Sequence, residues 1–526
     1  MDDRYDVVVV GGGAAGLAGA LTLARARRSV LVVDAGEPRN APAAGVHTYP
    51  GREGTPPARL AAISREEVTG YGGQLMTGQV TGFDRVGEEF TVTVDEGRQV
   101  RARRLLVTTG LVDELPPLPG LAQRWGRDVL HCPYCHGWEV ADKRIAVLAT
   151  GPLSAHQVRL WRQWSDQVLL LLHDQPAPQG EEAEWLAALE VAVVPGPVAG
   201  LTVQVDRLTG VRLASGEQVD CDVLVVATRM TARAQVLSSL GLTAEPVEMF
   251  GQVIGAQVPS GPSGATSVPG VWVAGNIADL SAKVIPSAAA GITAAAAINA
   301  DLVEADTRAA VARHRRQREE AFTEAGWEQR YQQRPTVWSG RPNPQLVAEV
   351  SEVTPGRALD VGCGEGADAV WLAERGWRVT GVDISTTALE RAARHAREAG
   401  EQVAQRIEWV HTDLLHGEVK EGVYDLVSAQ FMHLPPQDRR ELYARLAAAV
   451  APGGLLLIVG HHPRDLWSRA HRMHYPEMMF TAEQVAADLD PQRFEVLVAQ
   501  ARPRTTVDPQ GREISVHDAV LLARRR

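Results

Sequence analysis

The segment "HCPYCHGWEV", residues 131–140, carries two cysteines two residues apart, and the second is followed directly by a histidine. Two thiols at the spacing of Cys132 and Cys135 can close a small disulfide ring and reopen it when one of them deprotonates readily. The ordinary pKa of a histidine lies near neutrality, so His136 can act as general base toward a thiol. By themselves the ten residues fit a metal clip, a structural disulfide or a redox centre that acts on other thiols, in which Cys132, Cys135 and His136 would be the catalytic residues.

A zinc site is the main alternative for the same segment, with Cys132, Cys135 and a histidine as ligands. Structural zinc usually takes a second pair of such ligands, and the sequence offers none, so no metal site is predicted. The other two of the four cysteines, Cys221 and Cys363, are isolated and are expected to be packing residues. Four cysteines in this arrangement do not form the framework of a secreted protein, so a cytoplasmic location is expected.

The length and composition of the chain limit the number of domains and the classes of partner that can be expected. A chain of 526 residues exceeds what one core usually supports, so two to four domains are expected. The composition is 45% hydrophobic and 22% charged with a net charge of -11, which does not favour a nucleic-acid partner. The acidic start "MDDRYDVVVV" is unlike a secretory signal, and no apolar run approaches the roughly 20 residues of a membrane span. No membrane partner is expected.

The glycine pattern near the N-terminus predicts a dinucleotide site. "YDVVVVGGGAAGLAGALTLARARRSVLVVDAG" reads as strand, glycine turn, helix and second strand. Gly11 allows the tight turn, Gly13 lets the backbone approach a pyrophosphate, and Gly16 lets the helix pack on the strand. Asp34 ends the second strand, where a carboxylate can bind ribose hydroxyls.

Two later segments indicate which dinucleotide. "RRLLVTTGLVDELPPLPGL" and "GVWVAGNIADLSAKVIPSAAAGITAAAAINADL", with the first turn, resemble the FAD-closing segments of thioredoxin reductase-like flavoproteins over residues 5–304. In that family "AGD" lies by the ribityl chain, and the amide of Asn276 can still bond a ribityl hydroxyl. The helix from about Pro286 is expected to stabilise negative charge on a reduced flavin. The resemblance implies FAD held by Gly11, Gly13, Ala14, Ala15, Gly16, Asp34, Thr109, Gly110, Gly275 and Asn276.

The family also implies an inserted pyridine-nucleotide domain, and "KRIAVLATGPLSAHQVRLWRQWSDQVLLLLHD" repeats the strand, turn, helix and strand order. The family's GxGxxA is replaced here by Ala149, Gly151 and Ser154, with Pro152 inside the turn. A Cβ at the first position crowds a turn that glycine normally makes. Asp174 stands where the family places positive charge for the 2′-phosphate. The fold of this domain is expected to be kept, with poor binding of NAD(P)H.

The cysteine pair lies just before this insert, where the family keeps its redox-active CxxC. Thioredoxin reductases carry an aspartate after the second cysteine, whereas this chain has His136. "CPYCHGWE" is similar to the motif of dithiol oxidases that form the disulfides of gliotoxin- and holomycin-type products. The resemblance implies that electrons pass from a dithiol to flavin and oxygen with little or no NADPH. An NADPH-dependent thioredoxin-disulfide reductase is the alternative.

The second half of the chain restarts the pattern. "GRALDVGCGEGADAVWLAERGWRVTGVDIS" reads as strand, glycine loop, helix and strand, and "HTDLL", "YDLVSAQFMHLP" and "LAAAVAPGGLLLIVGHHP" follow in order. Over residues 327–526 these segments resemble the class I S-adenosylmethionine-dependent methyltransferases. The glycine loop lets backbone approach the methionine portion closely. The resemblance implies cofactor contacts from Asp360, Gly362, Gly364, Gly366, Asp383, Ile384, Asp413, Leu414 and Gln430.

The methyl acceptor is indicated more weakly. "RPTVWSGRPNPQL" resembles methyltransferases that act on small thiols and other soft nucleophiles, including the tellurite-resistance type, and the "NPPY" motif of amino methylation is absent. A small, soft acceptor is therefore expected, with a thiol favoured. His433, His461 and His462 lie near strand ends that frame the acceptor pocket, as candidate bases or as packing and hydrogen-bonding residues.

The sequence thus predicts an α/β protein of successive Rossmann-like domains. An FAD-binding domain covers 1–115 and 236–304, an inserted domain 116–235, a linker helix 305–326 and a methyltransferase domain 327–526. A bifunctional homodimer is expected, acting on a small dithiol or disulfide, with a thioredoxin-like protein as the second candidate partner. Two other hypotheses stay open: a thioredoxin reductase with an unrelated methyltransferase, and a redox-responsive binding or regulatory protein.

Overall fold

The computed structural model describes residues 4–526 apart from 152, 250, 322, 433, 468–475 and 509, and for 96 and 317–321 it describes the backbone alone. The chain divides into two compact units, one ending at Arg308 and the other beginning at Ala309. Each unit is built on parallel sheets flanked by helices, so the predicted α/β class with successive Rossmann-like sheets is confirmed.

The first unit contains the following strands: β1 Arg4–Val10, β2 Val30–Asp34, β3 Gln74–Thr77, β4 Val80–Val86, β5 Glu89–Val94, β6 Arg98–Val107, β7 Leu111–Glu114, β8 Val129–Leu130, β9 Ile145–Leu148, β10 Val168–Leu171, β11 Ala192–Val194, β12 Val198–Gln204, β13 Arg207–Leu213, β14 Gln218–Asp220, β15 Val223–Val226, β16 Arg229–Ala232, β17 Glu245–Met249, β18 Gln252–Gln257 and β19 Val271–Val273. Its helices are α1 Ala14–Arg25, α2 Pro57–Gly70, α3 Leu121–Arg124, α4 Pro133–His136, α5 Ser154–Trp161, α6 Glu181–Ala188 and the start of α7 Val284–Ala321.

The principal sheet of this unit has the order β3-β2-β1-β6-β5-β4, with β19 also paired to β6. Strand β1 pairs in parallel with both neighbours, and its valines from 7 to 10 are buried. A run of β-branched residues suits a strand that is covered on both faces. Its carboxyl end leads directly into the glycine turn.

The inserted region has its own parallel sheet, β11-β10-β9-β15-β8, and a three-stranded antiparallel sheet, β12-β13-β14. A four-stranded sheet, β17-β18-β16-β7, completes the unit. Helix α4, which carries the second cysteine and the following histidine, lies between β8 and β9 in the chain.

Helix α7 continues without interruption from the flavoprotein-like region into the segment predicted as a linker. Among the described residues it is the one helix, over Val284–Arg316, whose length and mean hydropathy of 1.2 would allow a membrane span. The expectation of no long apolar run did not anticipate this helix, in which polar residues are interspersed among alanine, isoleucine and valine. Its buried residues Ala294, Ile298 and Leu302 belong to the core cluster that also holds Val7.

The second unit contains α8 Glu324–Gln332, α9 Pro344–Val350, β20 Arg357–Val361, α10 Ala367–Glu374, β21 Arg378–Asp383, α11 Thr386–Ala399, α12 Glu401–Ala404, β22 Ile407–His411, β23 Tyr424–Gln430, α13 Pro436–Ala449, β24 Val450–His461, α14 Ala482–Ala487, β25 Phe494–Val507 and β26 Glu513–Arg525. Its sheet has the order β22-β21-β20-β23-β24-β26-β25, and β26 runs antiparallel to both neighbours. The parallel strands β20 to β23 all end at one edge, where the predicted cofactor residues follow them.

Candidate active sites

One cavity of about 1300 Å³ in the first unit brings the glycine turn and the cysteine pair together. Its lining includes nine of the ten predicted FAD residues, all except Gly16, and also Cys132, Cys135 and His136. The volume exceeds the roughly 300–1,000 Å³ of ordinary small-molecule pockets, as a dinucleotide requires.

The glycine turn has the shape that a pyrophosphate needs. Gly11 has φ of 103°, and a Cβ there would stand 2.6 Å from the carbonyl oxygen of Thr108. Thr108 Oγ1 lies 3.0 Å from the carbonyl oxygen of Val10 and 2.8 Å from that of Gly11, which pins the turn. A Cβ on Gly13 would meet nothing within 4 Å, whereas one on Gly16 would stand 1.9 Å from the Gly11 oxygen. Gly13 therefore leaves space for a ligand, and Gly16 serves packing.

Asp34 lies at the end of β2, as predicted, and is tied to the turn. Its Oδ1 accepts a hydrogen bond from the backbone N–H of Gly12 at 2.9 Å, and its Oδ2 accepts one from Arg65 at 2.7 Å. The carboxylate is thus fixed beside the cavity, where a ribose could reach it.

Asn276 has a role that an aspartate could not fill. Its Nδ2 donates to the carbonyl oxygens of Ala282 at 2.8 Å and Asp279 at 3.0 Å, and its Oδ1 lies 3.4 Å from Arg39 Nη1. A carboxylate has no proton to donate to those carbonyls. The change from "AGD" to "AGN" therefore stabilises the loop that precedes α7, and the ribityl contact stays a prediction.

Arg39 and Asp113 form an ion pair in this cavity that the sequence did not reveal. Arg39 donates from Nε and Nη2 to the two carboxylate oxygens at 2.7 Å each. Burial opposes ionisation of Asp113, but the hydrogen bonds and positive charge of Arg39, together with His131 and Thr228, outweigh it and lower the carboxyl pKa. The neighbouring His131 stacks on Trp125, and burial lowers its pKa to about 4, so it is neutral at pH 7.

The cysteine pair is asymmetric. Cys132 is the residue before α4, and Cys135 Sγ donates a hydrogen bond to Cys132 Sγ at 3.1 Å. That hydrogen bond, with the positive charge of Lys283 and two backbone N–H groups, lowers the pKa of Cys132 to about 6 against the effect of burial. The same partnership and burial raise the pKa of Cys135. Cys132 is therefore the thiolate of the reduced pair.

Lys283 is a second residue that sequence reasoning missed. It lies directly before α7, lines the same cavity, and places Nζ 4.4 Å from the centre of the Tyr134 ring, between the two cysteines in sequence. A cation at this distance from an aromatic face is held there by the ring quadrupole. The ring thus keeps the ammonium near both sulfurs.

His136 lines the cavity next to the pair, and burial lowers its pKa, with Glu139 acting in the opposite direction. A neutral imidazole can accept a proton at physiological pH. His47 lies between Glu53, 2.7 Å from its Nδ1, and Glu139, 3.4 Å from its Nε2. The negative charge of Glu139 stabilises the positive charge that His136 carries after it has taken a proton.

In the inserted region, the backbone N–H groups of the turn predicted to bind a nucleotide are hydrogen-bonded to a side chain of the same turn. Ser154 Oγ accepts from the backbone N–H groups of Thr150 at 3.2 Å and Gly151 at 3.4 Å, and donates to the Gly151 oxygen at 2.6 Å. The side chain of Gln252 packs against Gly151, with Oε1 2.7 Å from where a Cβ would stand. The N–H groups that would bind a phosphate are therefore already used. Pro152, which also entered the prediction, lies outside the described residues.

Asp174, which the resemblance places where NADPH would need positive charge, is held by its neighbour His173. His173 accepts from the Val198 N–H through Nδ1 at 3.0 Å, so its proton is on Nε2, 3.1 Å from Asp174 Oδ2. His173 thereby orients a carboxylate, which repels a phosphate.

In the second unit, the predicted residues of the glycine loop lie between β20 and α10. Gly362, Gly364 and Gly366 have φ of 65°, 53° and 85°, a conformation that side chains rarely adopt. Asp383 ends β21, and its carboxylate accepts from the N–H of Gly364 at 2.8 Å and of Ser385 at 2.9 Å. The loop and the ribose-binding candidate are thus fixed to each other.

Two buried acceptors in this region fit an ammonium group. Asp360 Oδ2 and Gln430 Oε1 are buried, and neither has a hydrogen-bond partner among the described residues. Burial and the nearby carboxylates of Asp368 and Asp383 raise the pKa of Asp360 well above its ordinary value. The amino group of S-adenosylmethionine would satisfy both acceptors, so these residues fit that cofactor.

The remaining predicted cofactor residues lie at the same sheet edge. Ile384 follows Asp383, and its carbonyl oxygen lies 2.9 Å from His411 Nε2. Asp413 follows β22, accepts from the Leu415 N–H at 2.9 Å, and precedes the buried Leu414. All nine predicted residues therefore stand after or at the ends of neighbouring parallel strands.

Tyr331 and Trp338 also reach the glycine loop, a contact that sequence reasoning missed because both residues precede the loop by more than 20 positions. Trp338 Nε1 donates to Tyr331 Oη at 2.8 Å, and both atoms lie 3.0 Å from where a Cβ on Gly364 would stand. Of the three candidate bases, His461 lies 4.7 Å from the Phe431 ring between centroids, and His462 Nδ1 accepts from the Arg464 N–H at 3.0 Å. His433 lies outside the described residues.

Within the part of the chain that the structure describes, no three histidine, cysteine or acidic side chains lie where they could hold a metal ion together.

Comparison with known proteins agrees with this arrangement of two sites. Residues 5–295 match the pyridine nucleotide-disulphide oxidoreductase family, and residues 358–454 match a methyltransferase domain. Because the first match spans more than half of the chain, the protein belongs to the pyridine nucleotide-disulphide oxidoreductase family. It is an enzyme with a thioredoxin reductase-like half and a methyltransferase domain, which confirms both predicted resemblances. The two families imply a flavin and S-adenosylmethionine.

Three similar proteins each cover between half and two thirds of this chain. The crystal structure of HlmI is 43% identical, with a TM-score of 0.56, and covers 60% of this chain and 98% of that one. Thioredoxin reductase aclD of Aspergillus oryzae is 30% identical over 52% of this chain and 88% of its own. Thioredoxin reductase sirT of Leptosphaeria maculans is 29% identical over 58% of this chain and 96% of its own.

Proposed function

We propose that the first half is a dithiol oxidase that uses FAD and oxygen, and that the second half methylates a small thiol with S-adenosylmethionine. One observation carries the oxidase proposal. Cys132 and Cys135 line the same cavity as the flavin-binding glycine turn, while the phosphate turn of the inserted region is capped by Ser154. The cysteines can thus exchange electrons with a flavin in the shared cavity, whereas the turn that would bind the phosphates of NADPH has its N–H groups bonded to Ser154.

The oxidation begins with the Cys132–Cys135 disulfide. His136 takes the proton of one substrate thiol, and the resulting thiolate attacks Cys132 Sγ, which breaks the enzyme disulfide and releases Cys135 as a thiolate. The protonated His136 gives its proton to the Cys135 thiolate, whose raised pKa favours the thiol form, and then takes the proton of the second substrate thiol. The second substrate thiolate attacks the mixed disulfide, so the substrate leaves as a disulfide and Cys132 leaves as a thiolate. The low pKa of Cys132 favours this departure, because a more acidic thiol is a better leaving group.

Two electrons now reside on the enzyme dithiol. FAD, when bound, supplies the two-electron acceptor for this pair, with molecular oxygen as terminal oxidant, reduced to hydrogen peroxide. Lys283 stays near both sulfurs during the exchange and offsets the negative charge that develops there. The relatives aclD and sirT are both named thioredoxin reductase, which leaves a protein disulfide as the alternative substrate.

For the methyltransferase half, Asp360 and Gln430 are proposed to hold the amino group of S-adenosylmethionine, and Asp383 its ribose. The cofactor supplies an electrophilic methyl group. A thiolate forms the new carbon–sulfur bond as the methyl–sulfonium bond breaks, so both products are neutral thioethers, and the thiol proton passes to a base or to water.

Oxygen consumption tests the oxidase proposal. Purified protein with dithiothreitol should consume oxygen and form hydrogen peroxide, and Cys132→Ser should abolish this while keeping bound FAD. Cys221→Ser is the matched control, because Cys221 is buried away from the cavity and should not affect turnover. Absence of oxygen consumption together with rapid NADPH oxidation would favour the reductase.

A further inference from the structure

Phe431 adopts a strained backbone conformation directly after Gln430. Its φ is 53°, which is rare for an aromatic residue, and its N–H donates to the Val459 oxygen at 2.7 Å. Strain of this kind persists where the surroundings impose it, often at binding sites. The next residue, Met432, places its sulfur against the glycine loop, 2.5 Å from where a Cβ on Gly362 would stand. Phe431 therefore lies beside the loop proposed to hold the methyl donor.

Arg504 covers the ring of Phe431. Its guanidinium carbon lies 5.7 Å from the ring centre, and its Nε lies 2.9 and 3.0 Å from the two oxygens of Asp518, a residue with 0% exposure. Gln345 Nε2 also donates to Asp518, at 3.3 Å. Asp518 and Phe431 thus fix the guanidinium in one position.

The other edge of this guanidinium is available. Neither Nη1 nor Nη2 of Arg504 has a hydrogen-bond partner among the described residues, and its side chain is 31% exposed. Arg502, two residues earlier on β25, contrasts with it. Its Nη1 lies 2.5 Å from Glu349 Oε1 and 3.3 Å from Gln345 Oε1. Arg502 therefore has a structural pairing, whereas Arg504 presents two N–H-bearing nitrogens that bind nothing in the described protein.

We propose that Arg504 binds an anionic group of the methyl acceptor, either its thiolate or a carboxylate, above Phe431 beside the methyl-donor loop. The inference rests on the proposed methyltransferase function and adds the charge of the substrate to it. Guanidinium nitrogens form short, charge-assisted hydrogen bonds with anions, and a pre-fixed guanidinium loses little freedom on binding. A bound thiolate would also be kept in its nucleophilic form.

Methyl transfer to two matched probe thiols tests this assignment. 3-Mercaptopropionate carries a carboxylate, and 3-mercapto-1-propanol does not. Arg504→Lys keeps a positive charge for Asp518 but removes the two Nη nitrogens that would bind the anion. Arg502→Lys is the matched control on the same strand. Loss of a charge-assisted hydrogen bond should raise the KM for the bound anion by about 10- to 100-fold. Arg502→Lys should leave it unchanged, as should binding of S-adenosylmethionine in both variants.

The pattern of change identifies the anion. A higher KM for 3-mercaptopropionate alone assigns Arg504 to a carboxylate. A higher KM for both thiols, with a rate profile displaced to more alkaline pH, assigns it to the thiolate. Unchanged KM values and pH profiles in Arg504→Lys would overturn the inference.

A binding measurement separates this inference from the proposed function. The protein is loaded with S-adenosylhomocysteine, and binding of 3-mercaptopropionate and of 3-mercapto-1-propanol is measured by calorimetry across pH. Absence of methylation by the unmodified protein would refute the thiol methyltransferase alone. If the unmodified protein binds the anionic form of a thiol and Arg504→Lys binds it more weakly, the anion site at Arg504 is supported. If neither protein binds the thiols, or both bind them equally well, the inference is overturned.

Discussion

Cys135 Sγ lies 3.1 Å from Cys132 Sγ and donates its hydrogen bond toward the first cysteine. The direction of that bond determines which sulfur carries negative charge, because a thiolate accepts and a thiol donates. Cys132 is therefore the sulfur that carries the negative charge of the reduced pair, and Cys135 the one that retains its proton.

Alkylation of the reduced protein should distinguish the two thiols by pH. In Cys135→Ser, the serine hydroxyl can still donate to Cys132 and Lys283 still lowers the pKa of Cys132, so reaction with iodoacetamide should reach its plateau at a lower pH than for an ordinary cysteine. In Cys132→Ser, burial should keep the Cys135 reaction slow until alkaline pH. Mass spectrometry of the modified peptide gives both profiles. The opposite order would reverse the roles of the two cysteines.

Removal of the cation near the pair should make Cys132 less reactive. Lys283→Met removes a positive charge that lowers the thiol pKa, and about 1 kcal/mol of lost attraction corresponds to roughly fivefold less thiolate below its pKa. Alkylation of Cys132 at pH 5.5 should therefore slow several-fold, and Lys283→Arg should retain most of the rate. Equal rates in all three proteins would exclude Lys283 from the electrostatics of the pair.

Gly13 should control FAD retention without controlling the fold. Its φ is -79°, which any residue can adopt, and a Cβ there meets no protein atom within 4 Å. Gly13→Asp would place a carboxylate against the pyrophosphate, a repulsion of about 1 kcal/mol in water and several times more when partly buried. The purified variant should lack the flavin absorbance near 450 nm, yet keep its far-ultraviolet circular dichroism. Gly13→Ala is the control and should retain more FAD; full FAD in Gly13→Asp would show that the turn is not the pyrophosphate site.

Asp383 should matter for S-adenosylmethionine and not for the flavin. Asp383→Ala removes the proposed hydrogen bonds to the ribose and also the acceptor for the Gly364 N–H. Charge-assisted hydrogen bonds contribute about 1.5–3 kcal/mol, so affinity should fall by roughly 10- to 150-fold in calorimetry. The visible spectrum of the flavoprotein half should be unchanged. Undiminished affinity would remove Asp383 from the cofactor site.

The sequence predicted those parts of the sites that depend on local geometry. Gly11, Gly362 and their neighbours could be assigned because a tight turn between a buried strand and a helix requires glycine at fixed spacing. The ends of β2 and β21 placed Asp34 and Asp383 for the same reason. These elements are specified by residues close together in the chain, so they can be predicted from the sequence before the fold is known.

The parts that could not be predicted depend on contacts between distant segments. Lys283 reaches a cysteine pair about 150 residues earlier, and Arg504 reaches Phe431 from a strand near the C-terminus. Gln252 packs on Gly151 from a different sheet. Even Ser154, visible as a departure from the family pattern, gave no sign that its hydroxyl would occupy the N–H groups of its own turn.

The central claim is that electrons enter the flavin from a dithiol and not from NADPH, and anaerobic stopped-flow absorbance tests it directly. The oxidised protein is mixed with dithiothreitol or with NADPH, and bleaching near 450 nm is followed in each case. Because Ser154 occupies the phosphate-binding N–H groups and Asp174 repels the 2′-phosphate, the dithiol should reduce the flavin much faster, and admitted oxygen should restore its absorbance. The double variant Ala149→Gly/Ser154→Ala should gain reactivity toward NADPH. Rapid, saturable reduction of the unmodified protein by micromolar NADPH would contradict the account and identify it as a reductase.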